Sequence, residues 1–325
     1  MNSLKTPSAG QRIIQRGVSL IELMVSITIG VVMLSAILAI FSATSSTGKQ
    51  SEAATRMSED AAIAMNYMAG YIRMAGYSNP RVNVSESSAR FGGSSAGNTD
   101  SNFSGAGIFG CDTGFANPTV APAANSSIVL TCNAATATST AAISVRFEGD
   151  IYNTGSATTP TDCLGQAVAA TTASGYVPDT GVVTNYALVE SRFYVRTGTS
   201  SGVSELYCGG NGGGSNFAAQ PIMQYVESMS FIYGVAEDGT SRTAARYLTQ
   251  AQLDTAAAAA GVNVEARWKQ VVSVKICMLM RSELPDQNGA GSYVDCSGAT
   301  VAAPDRFIRR AFRSVVTLRN KGGIA

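Results

Sequence analysis

The sequence predicts an α+β protein. One long N-terminal helix is packed on an antiparallel β-sheet, with a large loop-rich insertion at 81–185. Three observations carry this expectation. An apolar run from Val18 to Phe41 continues without proline into an amphipathic stretch. The second half of the chain breaks into short, partly alternating apolar runs separated by Gly, Ser, Asn and Asp. The segment between them shows neither period.

The apolar run reads VSLIELMVSITIGVVMLSAILAIF, and its single charge is Glu22. As a helix it spans ~36 Å, enough to cross a bilayer core with some tilt. Residues 1–17 carry Lys5, Arg12 and Arg16 and no acid, so the amino end is expected on the cytoplasmic side. A carboxylate near a bilayer interior costs ~2.5–3.5 kcal/mol, which predicts a partner for Glu22. Beyond the run, Met57, Ala61, Ala64, Met68, Ile72 and Ala75 recur at helical steps, while Arg56, Glu59, Asp60 and Arg73 take other faces. Gly76 suits a left-handed stop and Pro80 forbids continuation. The expected helix runs from Val18 to Ala75. Its first half, 18–41, is apolar all round, its second half, 42–76, is amphipathic, and a β-rich globular domain follows over 77–325.

Short β-like runs are expected at Ser127–Cys132 and Ile143–Glu148. Longer ones cover Tyr186–Arg196, Ile222–Val235, Gln270–Arg281 and Phe312–Arg319. Val189, Ser191, Phe193 and Val195 fall on one face, as do Phe312, Ser314, Val316 and Leu318. Thr249-Gln250-Ala251-Gln252 has capping-box spacing and predicts a short Ala-rich helix ending before Gly261. No repeat of 20–50 residues is apparent.

Composition narrows the chemistry. With 45% hydrophobic and 14% charged residues the chain supports a real core and a lightly charged surface. Its formal charge of +1 becomes −2 once a leader carrying three basic residues and no acid is removed, so general nucleic-acid binding is not expected. Cys111, Cys132, Cys163, Cys208, Cys277 and Cys296 all follow the membrane segment, lack CxxC spacing, and occur in a chain with no histidine. Disulfides are expected rather than a metal site, with pairing of sequence neighbours (111–132, 163–208, 277–296) among many connectivities.

The amino end resembles the class III leader of type IV pilins and pseudopilins. The small residue that looks cleavable, Gly17, lies in front of the apolar run, so cutting there discards the basic leader and keeps the helix. The resemblance implies cleavage by prepilin peptidase between Gly17 and Val18, N-methylation of Val18, and Glu22 as fifth residue of the mature chain. Val18 stands where the family usually has Phe or Met, and the proline frequent in the first half of major pilins is absent. In the carboxyl third, Asp238-Gly239 ending a strand, VVSVKICMLMRSE, and RRAFRSVVTLRN are similar to the PilW family of type IV minor pilins. The middle, about 80–185, resembles no family.

Membership of that family implies a type IV pilin-like fold and a minor pilin acting in the complex that primes pilus assembly or caps the tip, supporting motility or adhesion. It implies other minor pilins, the major pilin, prepilin peptidase and an inner-membrane assembly platform as partners. The chain would sit in the inner membrane with a periplasmic C-terminal domain, then reach the pilus tip or cell surface. It also implies a Glu22 contact with the new Val18 amine during docking and a Cys277–Cys296 bridge closing a C-terminal loop. A J-type minor pseudopilin of type II secretion is the nearest alternative, and a tip-displayed adhesin or DNA-uptake module using 81–185 is another.

No enzyme, cofactor or metal is expected. Gly93-Ser94-Ser95-Ala96-Gly97 has nucleophile-elbow spacing without strand, helix or histidine around it. Gly105-Ala106-Gly107-Ile108-Phe109-Gly110 fits a dinucleotide fingerprint without a βαβ pattern, and Cys208-Gly-Gly-Asn-Gly-Gly-Gly reads as a hairpin tip. Asp286-Gln287-Asn288-Gly289 with Asp295 reads as a turn rather than a calcium loop. Arg306, Arg309, Arg310, Arg313, Arg319 and Lys321, opposed only by Asp305 in sequence, read as a solvated strand edge or a surface for an acidic neighbour; DNA is not the expected partner.

Overall fold

The structure, a computed structural model, describes residues 17–78, 103, 105–121, 128–136, 139–154, 158–169, 171–177, 182–213, 217–237, 241–286, 289 and 291–321. The leader before Gly17, Pro80, the Gly93–Gly97 motif, Asp238-Gly239 and Gln287-Asn288 lie outside them. The chain divides into two compact units, Met1–Glu52 and Ala53–Ala325.

Helix α1 runs Leu20–Met74, 55 residues. Gly76 follows in the left-handed region at φ 73°, one residue past the expected end, and Tyr77 N–H closes the last turn on the Met74 carbonyl at 2.9 Å. Within the first unit every large apolar side chain from Val18 to Phe41 is at least half exposed. In the second unit the periodicity acts as expected. Met57, Ala61, Ala64, Met65, Met68, Ala69 and Ile72 are buried at steps of three and four.

The second unit is built from two main antiparallel sheets. The six-stranded sheet has the order β1 (Ile108–Cys111), β2 (Ala142–Gly149), β4 (Val182–Thr197), β5 (Ser204–Gly210), β6 (Ala218–Gln224), with β3 (Thr171–Val177) also paired to β4. The four-stranded sheet has the order β12 (Phe307–Thr317), β9 (Val271–Pro285), β7 (Val226–Val235), β8 (Arg246–Leu248). A small hairpin joins β10 (Ser292–Val294) to β11 (Thr300–Ala302).

Three expectations change here. The loop-rich segment 81–185 holds the strand expected at Ile143–Glu148, as β2, but also β1, β3 and the start of β4, which were not expected; β1 to β3 supply half of the six-stranded sheet. The run Ile222–Val235 is not one strand. Tyr225 adopts φ 61°, and the chain leaves β6, paired with β5, to enter β7, paired with β9. The residues described at 128–132 form no strand, only an isolated bridge between Phe115 and Cys132. Periodicity misses such a change because it reports faces and not which neighbour pairs.

Strand β4 also departs from simple alternation. Val189, Ser191 and Phe193 are buried on one face as expected, but Leu188, Glu190, Arg192 and Tyr194 are buried on the other. The edge strand β12 keeps the expected pattern, with Val316 and Leu318 inside and Arg313 and Val315 outside.

The main core cluster contains Met68 and Ile72 of α1, Ile143 and Phe147 of β2, Phe193 of β4 and Tyr233 of β7. Tyr67 and Tyr71 meet Phe193 with ring centroids 6.2 and 5.8 Å apart. Between β8 and β9, α2 (Gln250–Ala259) opens with the expected capping box. Gln252 N–H donates to Thr249 Oγ1 at 3.4 Å, and Thr249 N–H donates to Gln252 Oε1 at 3.0 Å. Helix α3 (Val264–Trp268) is too short to leave a period in the sequence. It ends on Trp268, fully buried between Tyr233 and Phe109 at 4.7 and 5.2 Å.

The cysteines pair as Cys111–Cys132, Cys163–Cys208 and Cys277–Cys296, with Cα separations of 5.3, 6.3 and 5.7 Å. The first ties β1 to the segment beside Phe115, the second ties the 160–168 loop to β5, and the third ties β9 to the turn after β10.

Candidate functional site

The segment Gly17–Phe41 starts at a helix cap. Leu23 N–H donates to the Ser19 carbonyl at 3.1 Å, making Ser19 the N-cap. Glu22 stands three residues on and closes a long reciprocal pair with it. Glu22 N–H donates to Ser19 Oγ at 3.3 Å, and Ser19 N–H donates to Glu22 Oε2 at 3.4 Å. The carboxylate is thereby turned back toward the amino end and lies in the favourable field of the helix N-terminus. Sequence reading treated Glu22 as a lone charge and missed this cap, although Ser19-Leu20-Ile21-Glu22 carries its spacing.

Ahead of the cap, Gly17 and Val18 are exposed, and a Cβ placed on Gly17 meets no heavy atom within 4 Å. Nothing in local packing calls for glycine there. Behind the cap, Ser26, Thr28 and Ser35 return their hydroxyls to backbone carbonyls within the helix at 2.7–2.9 Å. The outer surface of the helix from Leu20 to Phe41 is therefore almost wholly hydrocarbon, apart from Glu22. It is long and apolar enough to cross a membrane.

The other sequence motifs resolve into packing. Gly107 of the Gly105–Gly110 motif lies against the backbone of Ala75 and Gly76, and Gly110 against the Tyr233 hydroxyl; a side chain at either would overlap them. Of the glycine-rich stretch after Cys208, Gly209 and Gly210 belong to β5, and Gly212 N–H donates to Asp162 Oδ2 at 2.7 Å. Asp162 Oδ1 accepts from Leu164 and Gln166 N–H at 2.8 and 3.0 Å, so this buried carboxylate is satisfied by backbone alone. Tyr71 donates to the Asp162 carbonyl at 3.2 Å and Tyr67 to the Cys163 carbonyl, tying α1 to the same loop. No sequence pattern singled out Asp162.

Asp295 Oδ1 accepts from Ser297 N–H, Ser297 Oγ and Ala299 N–H at 2.6–3.0 Å, which makes Asp295–Ala299 a turn, while Gln287-Asn288 of the Asp286–Gly289 motif lie outside the described residues. Among the described residues no group of three His, Cys, Asp or Glu side chains is arranged to hold a metal.

The basic stretch is more compensated than its sequence suggests. Arg309 Nε and Nη2 donate to Glu227 of β7 at 2.6 and 2.8 Å, and Nη1 and Nη2 donate to Asp305 at 2.6 and 2.9 Å. Glu227 therefore joins Asp305 as an opposing acid. The Arg309 hydrogen bonds hold the Asp305 carboxyl down at about 2. Arg313 Nη2 donates to the Asp295 carbonyl at 2.6 Å, while its side chain remains exposed.

Comparison with known families places these observations. Residues 192–320 match the family described as Type IV Pilus-assembly protein W, and residues 13–43 match the prokaryotic N-terminal methylation motif. A search of curated proteins and one of solved structures each found no match. The first match begins in the middle of β4 and runs through β12, covering the whole four-stranded sheet; the second spans Gly17, Val18, Glu22 and the apolar helix. A prepilin leader motif, an exposed apolar helix and a β region that matches the PilW family together support a PilW-like minor pilin of the type IV pilus class.

Proposed function

We propose that the chain is cleaved between Gly17 and Val18 by prepilin peptidase, methylated on the Val18 nitrogen, and assembled with other minor pilins into the complex that primes pilus growth and caps the tip. Before assembly the apolar helix holds it in the inner membrane, with the amino end cytoplasmic and the globular unit periplasmic. The assembly platform then transfers it to a filament whose major pilin packs against the same apolar helix. The protein acts by packing and docking rather than by catalysis, and pilus-dependent motility or adhesion depends on it.

One observation carries this reading. Glu22 is the sole charge on an otherwise apolar exposed helix, and the Ser19 pair turns its carboxylate toward the residue that becomes the amino terminus. Cleavage frees a cationic amine one residue before that cap. An ion pair there, within the subunit or with a neighbour, offsets the cost of holding a carboxylate in an apolar filament core. The open environment of Gly17 supports a requirement for glycine set by an external enzyme rather than by the fold.

The test is genetic. Gly17→Ala and Glu22→Ala should each abolish or sharply reduce complementation of surface piliation in a deletion strain, viewed by electron microscopy. Wild-type piliation with both variants would overturn the reading. Loss of twitching and surface fibres in the deletion strain supports a pilus role. Intact fibres with exoprotein held in the periplasm would assign the chain to type II secretion instead.

A further inference from the structure

The four-stranded sheet turns Val274, Ile276, Met278 and Met280 of β9 into the core, and its opposite face is covered along only part of its length. Toward one end the turn after β10 lies over that face. Cys277 is bridged to Cys296, Arg313 Nη2 donates to the Asp295 carbonyl, and Cys277 and Leu279 are buried. Toward the other end four side chains stay open to solvent. Val315 of β12 stands opposite Lys275 of β9, and Lys275 opposite Ile232 of β7. Tyr247 of β8 pairs with Gly234, two residues beyond Ile232 and on the same face.

This strip is ordered and cationic. A Cβ on Gly234 would stand 2.1 Å from Ser273 Oγ and 3.0 Å from Tyr247 Cε1, so the glycine is what lets the Tyr247 ring lie across β7. Lys275 Nζ is 3.6 Å from the centroid of that ring. Val315, Ile232 and Tyr247 are nonetheless 58%, 38% and 41% exposed, a contiguous apolar surface around one ammonium. None of the four residues is acidic, and Lys275 makes no ion pair among the described residues.

The same unit carries a hollow of opposite sign. It has a volume of about 420 Å³ and opens between α1, the β6–β7 junction and the end of β9. Ile222, Met223 and Tyr225 form its apolar wall, and Asp60 and Glu283 are the charged residues that line it. Neither carboxylate has an ion-pair or hydrogen-bond partner among the described residues. Arg281, two residues before Glu283, is turned elsewhere: its Nε is 4.0 Å from Glu227 and its guanidinium lies 4.2 Å from the Phe307 ring centroid.

We propose that the strip of one copy docks in the hollow of a second copy, with the Lys275 ammonium set between Asp60 and Glu283 and the apolar side chains of the strip laid on Ile222, Met223 and Tyr225. The charges are complementary, each lacks a partner in its own chain, and the apolar surround on both sides keeps water from the pair. Strip and hollow are different surfaces, so the contact is heterologous. Every oligomer it forms keeps one free strip and one free hollow, and the contact repeats from copy to copy instead of closing as a two-fold dimer. It involves neither Gly17 nor Glu22, so it can fail while the assembly reading stands, and the reverse.

The test uses the full chain in detergent micelles, followed by sedimentation velocity over a concentration series. Wild type should associate past the dimer as its concentration rises. Lys275→Glu and Glu283→Lys should each raise the association midpoint at least about tenfold, with thermal midpoints unchanged because neither charge has a partner within the fold. An equimolar mixture of the two variants should form a 1:1 dimer and nothing larger, since it retains one compatible strip on one chain and one compatible hollow on the other. If a reversed charge unfolds the chain, Lys275→Gln and Glu283→Gln replace it, each expected to raise the midpoint about threefold. Association of the variants at the wild-type midpoint would assign self-association to the apolar helix and overturn the proposal. A wild type that stays monomeric, or a mixture that stays monomeric or grows past the dimer, would overturn it as well.

Discussion

In the six-stranded sheet, Glu190 and Arg192 sit two residues apart on β4 with side-chain exposures of 3% and 0%, and their ion pair is 2.6 Å long. In the four-stranded sheet, Arg309 is similarly hidden, but its partners Glu227 and Asp305 are 22% and 37% exposed. Arg192 also donates to the Pro118 and Val120 carbonyls, each at 2.7 Å, and its guanidinium lies 3.8 Å from the Phe217 ring centroid. The two carbonyls that cover this pair, of Pro118 and Val120, come from chain outside the family match, while Phe217 and all three groups of the Arg309 cluster lie inside it. The contrast teaches that the unmatched region is not an appendage. It supplies strands β1 to β3 and the lid that makes the outer face of β4 an interior.

The comparison can be broken most directly at the two arginines. Arg192→Leu strands Glu190 in the interior and should cost about 3–5 kcal/mol in denaturant unfolding. Arg309→Leu leaves two acids with access to water and should cost about 1 kcal/mol. Equal losses would mean that the lid over β4 does not exclude solvent.

The disulfides give the next effect. Cys163–Cys208 closes a sequence separation of 45 and Cys277–Cys296 one of 19. On loop entropy, removing each pair by double Cys→Ala substitution should cost about 4 and about 3 kcal/mol respectively, measured as shifts in unfolding free energy. The reverse order would show that the 160–168 loop is held by the Tyr67, Tyr71 and Asp162 contacts without its bridge.

A smaller loss should follow Gly107→Ala, about 2–3 kcal/mol, because the new Cβ overlaps backbone of the helix end and cannot be relieved by rotating a side chain. A melting temperature equal to wild type would show that the entry to β1 is loosely fastened.

The smallest effect is the acid response of the four-stranded sheet. Asp305 titrates at about 2 in the folded protein because Arg309 binds its ionised form, against ~3.9 for an ordinary aspartate. A depressed carboxyl contributes stability that is fully present above its unfolded pKa and is lost as pH falls through its folded pKa. This contribution is therefore present above about pH 4 and decays toward pH 2; solvent exposure limits it to about 1 kcal/mol. Unfolding free energies between pH 5 and pH 2 should fall less steeply in Asp305→Asn than in wild type, and identical slopes would remove Asp305 from the account.

Much of this molecule is legible in the chain. Helix α1 follows from an unbroken apolar run, then a stripe from Met57 to Ile72, then Gly76; each is a local signal read over a few turns. The α2 cap follows from Thr249 and Gln252 for the same reason. Residues 13–43 already carry the prepilin motif, because leader charge, Gly17 and Glu22 are contiguous. The rest required tertiary structure. Tyr225 changes sheets in the middle of what reads as one strand, since pairing partners lie far away in sequence and leave no period. The buried pair Glu190–Arg192 looks like a solvated face until Pro118–Val120 and Phe217 are laid over it. Tyr194 alternates into what should be solvent, yet it is buried and stacked on Tyr207. Sequence alone determined that the chain has an apolar spine headed by Glu22, because those residues are neighbours along one helix. Tertiary structure decided which charges are buried, because burial depends on long-range segments covering a strand whose own sequence does not say it will be covered.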